Sequence, residues 1–299
     1  MSDFEKNLSL YGLEINNALD KALSPNFLNS PDIAPEKLIK AMRYGSLNGG
    51  KRLRPFLLSQ SAKIFNIPAK TTIDAGLAIE MIHCYSLIHD DLPCMDDDDL
   101  RRGKPSVHKK FDEATAILAG DNLLTLAFEI LVKSEDYSAQ LRNNLIIELA
   151  KNAGAGGMVG GQMFDLLGEN KNLNKDEIAN ISAMKTGALI LASVRMGAII
   201  GQADEKEIFT LSKYGQLAGR AFQLADDILD ETASEKQMGK ATGKDAGRGK
   251  STLISLIGLK EAKTQLDEII EQAIIALEPF GKKANGLKEI VLFFGARKN

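Results

Sequence analysis

Apolar positions recur along most of this chain at helical rather than strand spacing. Between Thr72 and His89, the residues Leu77, Ile79, Met81, Ile82, Leu87 and Ile88 surround almost the whole helix circumference, which predicts a buried helix. Residues 113–133, 139–153, 175–200 and 204–230 read as further long helices. Two later segments, about 251–279 and 283–296, are more clearly amphipathic. Alternating β-branched runs and Asn-Gly hairpin turns are scarce, and no fixed-period repeat is visible. The expectation is an all-α protein, residues 1–299 forming a single domain.

Three stretches interrupt the helical pattern. Asn48-Gly49-Gly50 is a turn that leads directly into Lys51, Arg52 and Arg54. Pro93 breaks an acidic segment after Asp91. Residues 232–250 set Lys236, Lys240, Lys244, Arg248 and Lys250 among four glycines and read as a mobile basic loop.

Composition narrows the picture. An apolar fraction of 44% with 26% charged residues is ordinary for a globular chain. The net charge of −3, from 37 basic and 40 acidic side chains, gives no sign of a nucleic-acid binder. Cys84 and Cys94 form no disulfide framework, which fits a reducing cytosol. The N-terminus lacks the basic head and apolar core of a signal peptide. The most apolar stretch, Gly187 to Gly201, is interrupted by Arg195, so no membrane span is expected and the cytoplasm is the expected location.

Two aspartate clusters stand out. In QLADDILD, Asp226 and Asp230 lie four residues apart on one helix face, beside Asp227, in a mainly apolar helix. Like charges there call for a counter-ion, and a hard divalent cation is the natural one, although a solvated acidic face is the plain alternative. The other cluster is Asp90, Asp91 and Asp96. Six residues of ideal helix turn through roughly 600°, so Asp90 and Asp96 would not share a face. Pro93 pushes Leu92 out of the helical region, which predicts that Asp96 swings back towards Asp90. Carboxylate ligands favour Mg²⁺ over Zn²⁺. A zinc set drawn from His83, Cys84, His89 and Cys94 matches no common spacing.

Basic groups accompany these carboxylates: Lys51, Arg52 and Arg54, then Arg101-Arg102, Lys185-Thr186 and the 232–250 loop. Isolated, such residues are commonly surface ion pairs; four groups beside glycines and polar breaks suit multidentate phosphate binding. A P-loop is excluded. Gly45 to Lys51 fits GxxxxGK, but Arg52 stands where Ser or Thr is needed, and no strand precedes it.

Taken together, GGKRLRP at 49–55, Asp90 to Asp96 followed by LRRGKPS, GGQMFDL at 160–166, MKTG at 184–187, QLADDILD at 223–230 and GKST at 249–252 resemble the trans-isoprenyl diphosphate synthases, the bacterial-type farnesyl diphosphate synthases most of all. The resemblance covers roughly residues 40–252. It implies an isoprenoid-synthase bundle of long helices around a deep cavity, usually a homodimer, joining isopentenyl diphosphate to an allylic diphosphate. By the same resemblance, Asp90, Asp96 and Asp226 hold Mg²⁺, three ions with substrate bound, and Asp91, Asp227 and Asp230 complete the acidic walls. Arg101, Lys185, Thr186, Gln223, Lys240 and Lys250 grip the allylic diphosphate, while Lys51, Arg54, His83 and Arg102 take that of isopentenyl diphosphate. A class I terpene cyclase typically carries a single such cluster, and a non-catalytic partner subunit would have lost ligands that are all retained here.

Product length is the open point. Tyr85 lies five residues before Asp90, about 7.5 Å along the helix axis at 1.5 Å per residue. An aromatic at this offset, with the two-residue expansion of the cluster, resembles the enzymes that stop at fifteen carbons. Ser86 and the Gly156–Gly161 segment, read as flexible, also bear on cavity depth. Replacing Tyr85 by Ala is expected to lengthen the product, read by chromatography of the dephosphorylated chains; unchanged length would remove Tyr85 from this role.

Overall fold

The computed structural model describes residues 2–28, 34–169, 171–232 and 253–296. Most of the predicted basic loop, with Lys240 and Lys250, lies outside the described residues. The chain is all-α: α1 (Asp3–Ala22), α2 (Glu36–Leu47), α3 (Leu53–Lys63), α4 (Ile73–Asp90), α5 (Val107–Lys110), α6 (Glu113–Lys133), α7 (Ala139–Ala153), α8 (Met158–Gly168), α9 (Lys175–Ser182), α10 (Ala188–Ile200), α11 (Glu205–Thr232), α12 (Leu253–Ile257), α13 (Leu259–Ala276) and α14 (Asn285–Gly295). Among the described residues, strand is confined to one hairpin, β1 (Leu100–Arg101) with β2 (Lys104–Pro105), Leu100 facing Pro105. The residues fall into two compact units, Met1–Phe56 with Lys70–Asn143, and Leu57–Ala69 with Asn144–Asn299.

In the first unit, α1 opens with a capping box. Ser2 Oγ accepts from the Glu5 N–H, and the Glu5 carboxylate accepts from the Ser2 N–H at 2.8 Å, which satisfies two otherwise orphaned donors. The helix α4 is buried on every side from Ala75 to Ile82, as its mainly apolar pattern predicts. Packed along it is α6, whose N-cap Asp112 accepts from the Thr115 N–H at 2.8 Å.

A charged pair sits within the apolar core of this unit. Glu80 is 2% exposed, and Arg52, equally buried, donates to its Oε1 at 2.7 Å. The same guanidinium donates to Asn16 Oδ1 at 2.8 Å and to the Ser46 carbonyl at 2.6 Å. Arg52 therefore ties α1, the end of α2 and α4 together, from a left-handed backbone at φ 51°.

In the second unit, α11 packs against α10 and α13. Close approach is permitted by glycine: a Cβ on Gly219 would stand 2.9 Å from the Cα of Gly187. The lone charge in the apolar stretch, Arg195, is paired with Glu148 through Nε at 2.6 Å and Nη2 at 3.0 Å, and donates to Ser212 Oγ at 2.7 Å. Two apolar helical stretches, Glu113–Lys133 and Lys175–Ile200, have the length and composition of membrane spans, but half or more of each apolar window is buried within the protein.

Two expectations change. The helix expected over about 251–279 is divided at Gly258, whose φ of 80° no helix accommodates, and ends at Ala276. The helix expected over 175–200 contains a π-helical turn, Ala183–Gly187.

Replacing Glu80 by Ala leaves the Arg52 guanidinium buried without its counter-charge. A loss of about 3–5 kcal/mol is expected in urea unfolding; a loss below about 1 kcal/mol would show that water or Asn16 compensates.

Candidate active site

The helix α4 ends at Asp90, and the chain folds back on itself around Pro93. The Asp96 N–H donates to the Asp90 carbonyl at 2.7 Å, and the Asp98 N–H to the Asp91 carbonyl at 3.1 Å. The expected return of Asp96 to Asp90 is thus made by the backbone. Pro93, unable to continue the helix, begins it, and these hydrogen bonds lock it.

The three aspartates are not equivalent. Asp91 is buried and accepts from Arg101 Nε at 2.9 Å and from Arg101 Nη2. Burial raises the pKa of the Asp91 carboxyl, and the facing guanidinium offsets that rise only in part. For Arg101, burial favours the neutral form but is outweighed by Asp91. The pair is ionic, and Asp98 adds a longer contact of 3.4 Å. Asp91 therefore positions Arg101, and Asp90 and Asp96 are the residues of this cluster that could hold a metal. Their donors are oxygen only, which suits a hard cation such as Mg²⁺.

Arg102 begins the bend of the hairpin with φ 55° and donates to the carbonyl of Gly49. This contact exists because Gly50, at φ 109°, has no side chain: a Cβ there would lie 2.8 Å from the guanidinium. Lys104 Nζ holds Asn48 Oδ1 at 3.0 Å on the same turn. The turn that leads into Lys51 and Arg54 is thereby brought to Arg102. His83 lies in their field: burial, then Arg54 and Arg102, hold its imidazole well below its usual pKa. Four predicted anion-binding residues, Lys51, Arg54, His83 and Arg102, belong to this one unit.

In the second unit, Asp226 and Asp230 share one side of α11, and Asp227 accepts from Gln223 Nε2 at 2.8 Å. Gln223, expected to touch phosphate, here orients a carboxylate. Lys185 and Thr186 lie in the π-turn, a distortion frequent at functional sites. Lys185 Nζ is 2.7 Å from Asp165 of α8. The Gly156–Gly161 segment is not the flexible element expected: α8 starts at Met158, and a Cβ on Gly161 would stand 2.2 Å from the Lys185 nitrogen. Glycine serves close packing there.

Tyr85 is buried, which pushes its hydroxyl up to about 12, and its ring meets His89 edge-on at 5.7 Å. Ser86 turns its hydroxyl back to the His83 carbonyl at 2.9 Å. Lys240 and Lys250 are outside the described residues.

Known proteins share this arrangement of sequence and fold. The polyprenyl synthetase family model matches residues 35–282. Farnesyl diphosphate synthase of Escherichia coli is 43% identical over 286 residues, 94% of each chain. The chain belongs to the polyprenyl synthetase family. A crystal structure of an FPP/GFPP synthase from Zymomonas mobilis superposes with a TM-score of 0.86 at 38% identity, covering 97% of this chain and 98% of that one. A geranyltransferase from Helicobacter pylori, complexed with magnesium and isoprenyl diphosphate, gives 0.84 at 32% identity, covering 98% and 97%.

For this family member, sequence reasoning passed over Asp165 and the Arg52–Glu80 pair. Asp165 sits in the quoted GGQMFDL motif, but its partner lies 20 residues away and no spacing rule connects them. Arg52 is one of three basic residues in KRLR, and only burial separates it from its neighbours.

His83 gives a pH signature. Unfolded, it takes up a proton as pH falls through about 6.5, whereas the folded chain resists that proton to much lower pH. Stability contributed above pH 6.5 is therefore lost below it, by up to about 1.4 kcal/mol per pH unit. His83→Gln is expected to flatten this part of the profile, read from urea midpoints at pH 7.5 and 5.5; equal slopes in both proteins would exclude His83 as the source.

Proposed function

We propose that this chain is a trans-isoprenyl diphosphate synthase that condenses isopentenyl diphosphate with dimethylallyl and then geranyl diphosphate, giving mainly farnesyl diphosphate. One observation carries the reading most directly. The backbone return of Asp96 to Asp90 sets two carboxylate side chains on one turn, next to an Arg101 already oriented by Asp91. Such a turn serves an anion brought in with cations, not a free anion, which the carboxylates would repel.

Asp90 and Asp96 on one cluster and Asp226 on the other are proposed to hold Mg²⁺, three ions with substrate bound; the donor chemistry fits. Bound there, Mg²⁺ would neutralise the charge that develops on a departing diphosphate. Arg101, Lys185 and Thr186, with Gln223, Lys240 and Lys250, would hold the allylic diphosphate and stabilise the same charge. Lys51, Arg54, Arg102 and a neutral His83 would hold isopentenyl diphosphate, placing its alkene for attack. The allylic C–O bond breaks to give a carbocation and pyrophosphate, a C–C bond forms, and the resulting cation loses a proton. Pyrophosphate is the proposed acceptor of that proton, so no side-chain base is assigned. Buried apolar residues of α4 would keep water from the cation.

The family match runs through residues of both units, which supports reading the chain as one functional domain. The resemblance supports a cytoplasmic homodimer, and apolar Ile117, Leu118 and Val132, exposed on α6 in the single chain, suit a subunit contact.

Incubation with Mg²⁺, isopentenyl diphosphate and five-, ten- or fifteen-carbon allylic starters is expected to yield mainly the fifteen-carbon product, and chelation to abolish it. No condensation with any starter would overturn the proposal. Asp90→Ala and Asp226→Ala are each expected to lower turnover at least ~10³-fold, about 4 kcal/mol of barrier; near-normal turnover in either would sink its assignment as a ligand.

A further inference from the structure

A different set of ligand atoms lies beyond the proposed catalytic aspartates. Asp97, Asp99 and His108 each offer one donor atom, a carboxylate oxygen or a ring nitrogen, and these lie within 4.8 Å of one another. The two aspartates are exposed, whereas His108 is 6% exposed. Hairpin topology brings them together: the Ser106 N–H donates to the Asp99 carbonyl at 2.9 Å, which returns the chain to the acidic segment just before α5.

The state of the imidazole points to a ligand. Its Nδ1 is 3.1 Å from Ser106 Oγ, and its Nε2 is buried with no hydrogen-bond partner among the described residues. In the tautomer that donates Nδ1–H to Ser106 Oγ, Nε2 carries a lone pair, and a histidine held through one nitrogen in this way is the usual arrangement of a metal-bound imidazole. Lys109 forms a salt bridge to Asp99 at 2.8 Å, so a cationic group already sits beside these carboxylates.

We propose that Asp97, Asp99 and His108 form a second divalent-cation site, distinct from the Asp90, Asp96 and Asp226 ligands, that takes a transition metal such as Mn²⁺ or Zn²⁺. The donor set decides the class. Imidazole nitrogen favours transition metals, while Mg²⁺ prefers oxygen ligands. Donors about 2.1 Å from an ion stand roughly 3.0–3.5 Å apart in octahedral or tetrahedral geometry. Closure from the 4.8 Å envelope therefore asks the donors to approach by up to roughly 1.3–1.8 Å, within rotamer reach of two exposed aspartates. An ion held here would clasp the segment after Asp96 to the start of α5, fixing the hairpin that bears Arg101 and Arg102.

The test is electron spin-echo envelope modulation on the full chain, without substrates, at saturating Mn²⁺. An all-oxygen aspartate site produces no coupling to a directly bound nitrogen, so a ¹⁴N imidazole coupling identifies this one. The coupling is expected in the wild type and in Asp226→Asn, and its loss is expected in His108→Gln. Asp97→Asn, an exposed change that leaves the fold intact, is expected to weaken Mn²⁺ at the nitrogen-coupled site at least ~10-fold. Absence of nitrogen coupling in the wild type, or its persistence in a folded His108→Gln, would overturn the proposal. Should His108→Gln fail to fold by circular dichroism, unchanged affinity in Asp97→Asn would overturn it equally.

Discussion

A charge taken out of water must meet an opposite charge, and this constraint orders the protein from its core to its candidate site. Arg52 and Glu80 meet it inside the first unit, and Arg195 and Glu148 meet it inside the second. Towards the acidic turn the same rule pairs Asp91 with Arg101, and on α8 and the π-turn it pairs Asp165 with Lys185. The first two pairs hold helices in place. The latter two hold cations where a diphosphate is proposed to bind, so one physical requirement serves both architecture and chemistry.

Interruption of helices is the second device. The chain leaves α4 at Asp90 because Pro93 cannot continue it, and the freed backbone groups are satisfied by the return of Asp96 and Asp98. The π-turn at Ala183–Gly187 displaces Lys185 and Thr186 from regular helical register, and Gly161 allows α8 to approach it. Likewise Gly49 and Gly50 give the turn before Lys51 its left-handed backbone and leave space for Arg102. These three departures from regular helix carry residues that the proposed chemistry uses.

Legibility followed how local each determinant is. Helices such as Glu113–Lys133 and Ala139–Ala153 were readable to the residue, because their apolar periodicity and flanking breaks lie within the segments themselves. The break at Gly258 was missed because a single glycine inside an amphipathic pattern is often tolerated; only its φ of 80° shows otherwise. The Gly156–Gly161 segment misled for the opposite reason: glycines that look flexible in sequence are required by a backbone contact 24 residues on, between Gly161 and Lys185.

By itself the sequence determined the all-α class, the two aspartate clusters, the basic groups beside them and the family resemblance, since periodicity, charge and motif spacing are properties of consecutive residues. Tertiary structure decided which partner several of these side chains meet. It paired Asp91 with Arg101, Gln223 with Asp227 and Arg52 with Glu80 in the core, and it left Nε2 of His108 without a hydrogen-bond partner among the described residues. Those outcomes depend on burial and on partners distant in the chain, and a side chain's chemistry is set by what surrounds it rather than by what precedes it.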